Sequence, residues 1–141
     1  MGLDMYFLEV WDVKPDGTFQ ERNLKYFRKH SDLNGWLAEE WESNKELYNY
    51  ELSKNSDDSY SLVHVGDSDD ADFDCCYMLI TPELVEKLKK YVHKGEIEKY
   101  RGFFWGESSF DQWEETLKLI YDIEQIFKNT PDHKVFYHPW W

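Results

Sequence analysis

The sequence predicts an α+β domain in which two or three helices pack on one face of a mostly antiparallel sheet. Strand-like and helix-like periodicities alternate along the chain, and the predicted turns are too short for many crossover connections. No period of about 20 to 50 residues recurs, so a repeat architecture is not expected. A chain of 141 residues has the length of one domain, and residues 1–141 are expected to fold as a single unit.

Two strands joined by a turn are expected at the start of the chain. Residues 5–13 are rich in aromatic and β-branched side chains, and the Pro-Asp-Gly sequence at 15–17 is a turn signal. Residues 19–27 then return as a second strand, although their alternation of polar and apolar side chains is imperfect.

The hydrophobic period changes to that of a helix at Ser31. Ser31 or Asp32 is placed to cap this helix. Apolar side chains share one helical face, namely Leu33, Trp36, Leu37 and Trp41. Residues 42–58 are polar and acidic, which predicts a short helix that fades into a loop. Residues 59–65 alternate like a strand.

A buried strand and the clearest helix start of the chain come next. Residues 75–80 form a continuous apolar run of strand length. Thr81, Pro82 and Glu83 then supply a capping hydroxyl, a proline at the first helical position and an acid in the first turn. Together these residues predict a helix that begins at position 82.

The last part of the chain predicts an aromatic segment, a long helix and a final strand. Residues 102–106 hold three adjacent aromatic side chains between two glycines, and these cannot all face one core. A helix begins near residue 109 or 110, with apolar residues at helical spacing: Trp113, Leu117, Ile120, Ile123 and Phe127. A last strand from about residue 135 then leads into an aromatic tail, Trp140 and Trp141.

The composition combines excess acid with many aromatic residues. The chain carries 29 Asp and Glu against 16 Lys and Arg, a formal net charge of −13, and 18% of its residues are aromatic. The aromatic content excludes an acidic disordered tail, because such tails lack core-forming side chains. The charge opposes direct binding to nucleic acid and favours a basic protein partner.

Nothing in the sequence predicts contact with a membrane. The apolar runs fall far short of the roughly 20 residues that a membrane span needs, and no basic segment followed by an apolar block opens the chain. A cytoplasmic protein is therefore expected. Cys75 and Cys76 are adjacent and cannot easily bridge each other, so reduced and partly buried thiols are expected.

No catalytic, metal or cofactor site is assigned from motifs. The sequence lacks a nucleophile elbow, a phosphate-binding glycine loop and a histidine pair with the spacing of a helical zinc site. Enzymatic activity is therefore not favoured, and no cofactor is expected.

A dense run of aspartates forms the first candidate binding surface. Its members follow the predicted strand at 59–65 and lack basic neighbours: Asp67, Asp69, Asp70, Asp72 and Asp74. Closely spaced carboxylates suit divalent cations, but this run lacks the central Gly and terminal Glu of an EF-hand loop. A solvated acidic loop that contacts a basic partner is the favoured interpretation.

A mixed polar and aromatic set forms the alternative candidate site, a small-molecule pocket centred on Arg28 and Asp111. The set comprises Asp4, Tyr6, Arg28, His30, Trp105, Asp111 and Trp113. Convergent polar and aromatic groups of this kind recognise ligands. The competing interpretation is a structural ion pair between Arg28 and Asp111, with the aromatic rings in the core.

Four segments of the chain resemble a known family. They are the opening MGLDMY at 1–6, YFRKH followed by LNGWL at 26–37, GFFWG at 102–106, and DQW at 111–113. In this order they look like a family of small uncharacterised bacteriophage and prophage proteins with Y-W-R-K and G-F-F-F-G…D-x-W motifs. The sequence departs from that pattern at Phe27, where Trp is usual. The resemblance implies a phage-type accessory protein and no particular reaction.

Two function hypotheses follow from these observations. The first is a protein-binding factor or inhibitor in the host-cell cytoplasm that engages a basic defence or nucleic-acid-handling protein. The second is the small-molecule or enzymatic site around Arg28 and Asp111. A homodimer through Trp140 and Trp141 is a further expectation, because two tryptophans at an open chain end are costly to leave in water.

Overall fold

A computed structural model describes residues 2–15, 18–57, 60–67, 72–93 and 110–141. Within these ranges the chain forms six strands and four helices. In chain order they are β1 (Asp4–Trp11), β2 (Gln20–Arg28), α1 (Ser31–Ser43), α2 (Lys45–Tyr48), β3 (Asn49–Lys54), β4 (Tyr60–His64), β5 (Tyr77–Ile80), α3 (Pro82–His93), α4 (Phe110–Asn129) and β6 (Lys134–Trp140).

The six strands form one antiparallel sheet with the order β2-β1-β6-β5-β3-β4. The last strand in the sequence, β6, therefore lies in the interior of the sheet, between β1 and β5. This arrangement confirms the predicted α+β fold with a mostly antiparallel sheet.

One face of the sheet, called here the packed face, carries the core. Met5 and Phe7 of β1 alternate with more exposed neighbours, as expected for a strand with one buried face. Helices α1, α3 and α4 pack against this face through buried apolar side chains: Leu33, Leu37, Leu84, Leu88, Leu119, Ile120 and Ile123. The opposite surface of the sheet is called here the open face.

The structure differs from the sequence prediction between residues 44 and 54. The expected helix that fades into a loop is a single turn, α2, which ends at Tyr48 and is followed at once by strand β3. Asn44 caps α2, since its side chain accepts a hydrogen bond from the Leu47 N–H. Asn49 and Tyr50 then pair with β5. This pairing with a distant strand holds the segment in an extended conformation, although its polar composition alone suggests a loop.

The C-terminal tryptophans are held against the domain and do not form a separate tail. Trp140 is the last residue of β6 and pairs with Asp4 of β1. Trp141 packs against the ring of Phe73, with the ring centroids 6.1 Å apart. Its backbone N–H also donates a hydrogen bond to the Asp74 carboxylate at 3.0 Å.

A buried carboxylate closes one end of the packed face. Glu9 is almost fully buried, and its Oε1 accepts hydrogen bonds from the Nε and Nη2 of Arg22 at 3.0 and 2.8 Å. The Nδ1 of His133 lies 2.6 Å from Oε2. Burial alone would raise the pKa of Glu9, but the hydrogen bonds from His133 and Arg22 outweigh it and lower that pKa below its usual 4.5.

Replacing this carboxylate is expected to destabilise the fold. Glu9→Gln should lower the free energy of unfolding at pH 7 by about 2 kcal/mol, because the Arg22 guanidinium loses its buried counter-charge and the His133 ring loses its carboxylate partner. Since the folded pKa of Glu9 is lowered, the stabilisation is present above pH 4.5 and is lost as the pH falls below it. Urea denaturation of the two proteins at pH 7 and at about pH 3.5 measures both effects.

Glu115→Gln is the matched control for this prediction. It removes an exposed carboxylate whose pair with Lys25 spans 3.0 Å, and such pairs contribute about 0.5 kcal/mol. Equal losses for Glu9→Gln and Glu115→Gln would contradict the assigned role of Glu9.

Candidate functional site

The aspartate loop is tied to the end of β6. Asp67, Asp72 and Asp74 belong to the described residues, whereas Asp69 and Asp70 lie outside them. Asp67 and Asp72 are exposed. Asp74 is half-buried, and its Oδ1 accepts hydrogen bonds from the Trp141 N–H and, at 3.4 Å, from the Cys75 thiol. The loop therefore meets the open face where β6 ends.

The same loop leads into the two cysteines, which are both free thiols. Cys75 is exposed and Cys76 is buried. Burial raises the pKa of both thiols, and it raises that of Cys76 far more. Within the described ranges, no group of three or more His, Cys, Asp or Glu side chains is arranged to hold a metal ion.

The structure divides the residues of the alternative pocket among separate environments. His30 and Trp113 are buried on the packed side of the sheet, with ring centroids 4.5 Å apart in edge contact. His30 Nε2 also lies 2.8 Å from the Thr116 hydroxyl. Desolvation by burial lowers the pKa of His30 to about 3, so the imidazole is neutral at physiological pH. These two side chains are core residues.

The remaining described members of that set lie elsewhere. Asp111 is exposed in the first turn of α4, and Trp105 lies outside the described residues. Asp4 and Arg28 are cross-strand partners at one end of β1 and β2, and Tyr6 follows two positions along the same face as Asp4. The structure thus brings Asp4, Tyr6 and Arg28 together on the open face.

A line of tyrosine and histidine side chains crosses the open face and is called here the tyrosine–histidine row. It takes one residue from each of the six strands. In the order of the sheet these are Tyr26, Tyr6, His138, Tyr77, Tyr50 and His64. The strand registers pair Tyr26 with Tyr6, Tyr6 with His138, Tyr77 with Tyr50, and Tyr50 with His64. The rings of His138 and Tyr77 join the two halves of the row.

Ring contacts join four of the five neighbouring pairs of the row, and the strand register pairs the fifth, Tyr77 and Tyr50. The centroid distances are 5.1 Å for Tyr6 and Tyr26, 6.3 Å for Tyr6 and His138, and 4.9 Å for Tyr50 and His64. His138 and Tyr77 stack at 4.2 Å with their planes inclined by only 13°. Since adjacent strands lie about 4.8 Å apart, six strands give the row a length of roughly 24 Å.

The row is accessible at its surface, and a buried ring lies beside it on the same face. Tyr26 is 42% exposed and His64 is exposed, while the four central rings are half-buried. Phe136 contacts the edge of Tyr50 at 5.3 Å and is itself almost fully buried. Trp140, 58% exposed, follows His138 on the same face. Ordered rings lose little conformational freedom on binding, so the row suits recognition.

Carboxylates border this row. The Tyr26 hydroxyl donates to Asp4 Oδ1 at 2.5 Å, and this hydrogen bond raises the pKa of Tyr26. Burial lowers the pKa of His138. Its hydrogen bond to the Cys76 carbonyl and the nearby carboxylates of Asp74 and Glu21 raise that pKa, but their combined effect is smaller. Because a carbonyl only accepts, His138 Nδ1 carries the proton and donates to it.

Sequence reasoning did not identify the tyrosine–histidine row, although part of its signal is visible. Tyr6, Tyr77 and His138 each stand one position away from a buried core residue, as expected for the outer side of a strand. The register that aligns them depends on pairing between segments far apart in the chain, which a single sequence does not encode locally.

A separate concave region lies between β2 and α4. It is a cleft of about 460 Å³ with polar and charged lining residues that include Arg22, Asn23, Asp122, Gln125 and Asn129. None of the described members of the predicted pocket lines it. The cleft is therefore distinct from the site around Arg28 and Asp111.

Neither a protein-family model, nor a curated protein, nor a solved structure matches this chain. The likeness to phage and prophage proteins accordingly stays a prediction from sequence. Across the described helices, none has the length and apolar character that a membrane span requires.

Proposed function

We propose that the protein binds a basic partner protein through the open face of its sheet, as a phage-type accessory factor or inhibitor in the host-cell cytoplasm. The observation that carries this proposal is the carboxylate-bordered row of tyrosine and histidine rings on a protein with a net charge of −13.

The two properties of the open face have complementary roles in binding. Aromatic rings held in place by their neighbours supply anchor surface at low entropic cost. The excess of carboxylates attracts a basic partner and raises the rate of association, while it repels the phosphates of nucleic acids. A defence or nucleic-acid-handling protein presents the basic surface that this combination favours.

The small-molecule alternative has less support. Two of its seven residues, His30 and Trp113, are core side chains, and the 460 Å³ cleft lies elsewhere. The C-terminal homodimer also stays a prediction. It depends on the exposed Trp140, because Trp141 packs on its own domain.

Neutralising carboxylates on one side of the sheet at a time tests the proposal. A triple variant with Asp4→Asn, Glu21→Gln and Asp72→Asn is expected to weaken binding to a basic nucleic-acid-binding protein at least tenfold in about 0.05 M salt. Wild-type binding should itself weaken by a similar factor between about 0.05 and 0.5 M salt. Surface plasmon resonance with an immobilised basic protein measures both constants.

The control triple variant places the same change in net charge on the helices. It combines Glu86→Gln, Glu114→Gln and Asp122→Asn, all at exposed helical positions. We expect it to retain binding within about threefold, because these groups lie on the helices that pack on the other side of the sheet. Equal losses for both triple variants, or no binding at low salt, would refute the proposal.

A further inference from the structure

The charges along the tyrosine–histidine row favour one kind of cationic side chain. Asp4 and Arg28 lie beside the row at its β2 end. The carboxylates of Glu21 and Asp74 are near enough to His138 to affect its pKa, and Lys134 lies on the same face as Glu21, across Val10. Helices α1, α3 and α4 pack on the other face of the sheet, so none of them competes for these rings. The local chemistry thus combines aromatic rings with carboxylates.

This combination distinguishes arginine from lysine. A guanidinium is planar and weakly hydrated, and it stacks on tyrosine rings. It also donates two parallel hydrogen bonds to a carboxylate. An ammonium is compact and strongly hydrated, and it loses more solvation on an aromatic surface. We infer that the tyrosine–histidine row binds arginine side chains of an extended basic segment, with Asp4 and Glu21 pairing with the guanidinium groups. The inference rests on the proposed function and specifies what its open face recognises.

The dimensions of the row agree with an extended segment. Alternate side chains of an extended chain lie about 6.6 Å apart on one side. A row of roughly 24 Å therefore meets three or four side chains of one peptide strand that runs across the sheet. Arginines at alternate positions would face the rings, and the intervening residues would face solvent.

Two peptides of equal charge test the inference. One alternates arginine with glycine over seven residues, and the other replaces each arginine by lysine. At about 0.05 M salt we expect the arginine peptide to bind wild-type protein about tenfold more tightly, since each cation–π contact at an exposed site contributes a factor of a few. Fluorescence anisotropy of labelled peptides gives both dissociation constants.

Substitutions in the row should remove this preference without removing charge-driven binding. In a Tyr6→Leu, Tyr77→Leu double variant, we expect the arginine and lysine peptides to bind with the same weak affinity. Tyr121→Leu is the matched control, because Tyr121 is 61% exposed on α4 and lies on the packed side of the sheet. It should keep the wild-type preference.

A substitution that leaves every ring of the row in place provides a further test, because it should increase the affinity. Arg28→Gln removes the positive charge at the β2 end of the row, and we expect it to lower the dissociation constant of the arginine peptide about threefold at low salt.

In wild-type protein, the aromatic NMR signals of Tyr6, Tyr77 and His138 should shift during the peptide titration, while those of Tyr121 should not.

The outcomes separate this inference from the proposed function. Equal binding of the two peptides to wild-type protein, with no effect of the tyrosine substitutions, would overturn arginine recognition and leave charge-driven binding of a basic protein intact. Absence of any binding by peptides and basic proteins would refute both. Tighter binding of a single-stranded oligonucleotide than of the arginine peptide would also overturn the inference.

Discussion

Lowering the pH from 6.5 to about 5 is expected to reduce the free energy of unfolding by about 2 kcal/mol through His30 alone. The imidazole is fully buried against Phe27 and Trp113, and its folded pKa is about 3 against 6.5 in the unfolded chain. The unfolded state therefore takes up a proton that the folded state excludes.

The direction of this effect follows from the lowered folded pKa. The neutral imidazole makes its full contribution to the free energy of unfolding above pH 6.5. This contribution is lost progressively as the pH falls towards about 3. The interval above pH 5 isolates the histidine contribution, because ordinary carboxylates in an unfolded chain are still mostly ionised there. Burial lowers the pKa of His138 as well, so that residue adds to the slope in the same direction.

Urea denaturation at pH 6.5 and pH 5 measures the loss in wild-type protein and in His30→Gln. The glutamine can still hydrogen-bond Thr116 but does not titrate, so the variant should show a pH slope smaller by about 2 kcal/mol over this interval. His64→Gln replaces an exposed imidazole and leaves the His30 site intact. An unchanged slope in His30→Gln would contradict the assignment.

Truncation of Tyr137 is expected to destabilise the fold more than the substitutions of Glu9 or His30. The residue is fully buried at the centre of the sheet, where its ring lies 4.8 Å from that of Phe7 and 6.0 Å from that of Phe73. Tyr137→Ala should lower the free energy of unfolding by about 4 kcal/mol, because it leaves a ring-sized cavity between the sheet and α1.

The hydroxyl of Tyr137 contributes separately. It donates a hydrogen bond to Asn34 Oδ1 at 2.6 Å and so links β6 to α1. Tyr137→Phe keeps the ring and should cost about 1 to 2 kcal/mol, since the buried Asn34 acceptor loses its partner. Equilibrium urea denaturation compares both variants with Tyr121→Ala, an exposed control expected to change stability by less than about 0.5 kcal/mol. A loss below 2 kcal/mol for Tyr137→Ala would contradict this account of the core.

Local signals in the sequence explain why most elements were predicted. Thr81 and Pro82 mark the start of α3, where Thr81 Oγ1 accepts from the Leu84 N–H, and the helical spacing of Trp113, Ile120 and Ile123 identifies the buried side of α4. Strand β3 is not predicted from the sequence, because its own polar composition does not favour a strand. Hydrogen bonding to β4 and β5 stabilises it instead.

The candidate site required information that a single sequence lacks. The aspartate loop is visible in the sequence as a run of like charges, and the polar and aromatic neighbours of Tyr6 mark it as a candidate site residue. Alignment of Tyr6 with His138 and Tyr77, however, depends on β6 lying between β1 and β5, a pairing across more than a hundred residues. Conversely, His30 stood beside charged residues in sequence, and its complete burial follows from packing against α4.

The interior position of β6 also sets the order of events when the chain is made. Five strands leave the ribosome before residues 134–140, and until then β1 and β5 each have an unpaired edge. The two sheet halves, β2-β1 and β5-β3-β4, join only when this strand arrives. The sheet is thus complete only after β6 has been made, and the unpaired edges of β1 and β5 are open to non-native pairing until then.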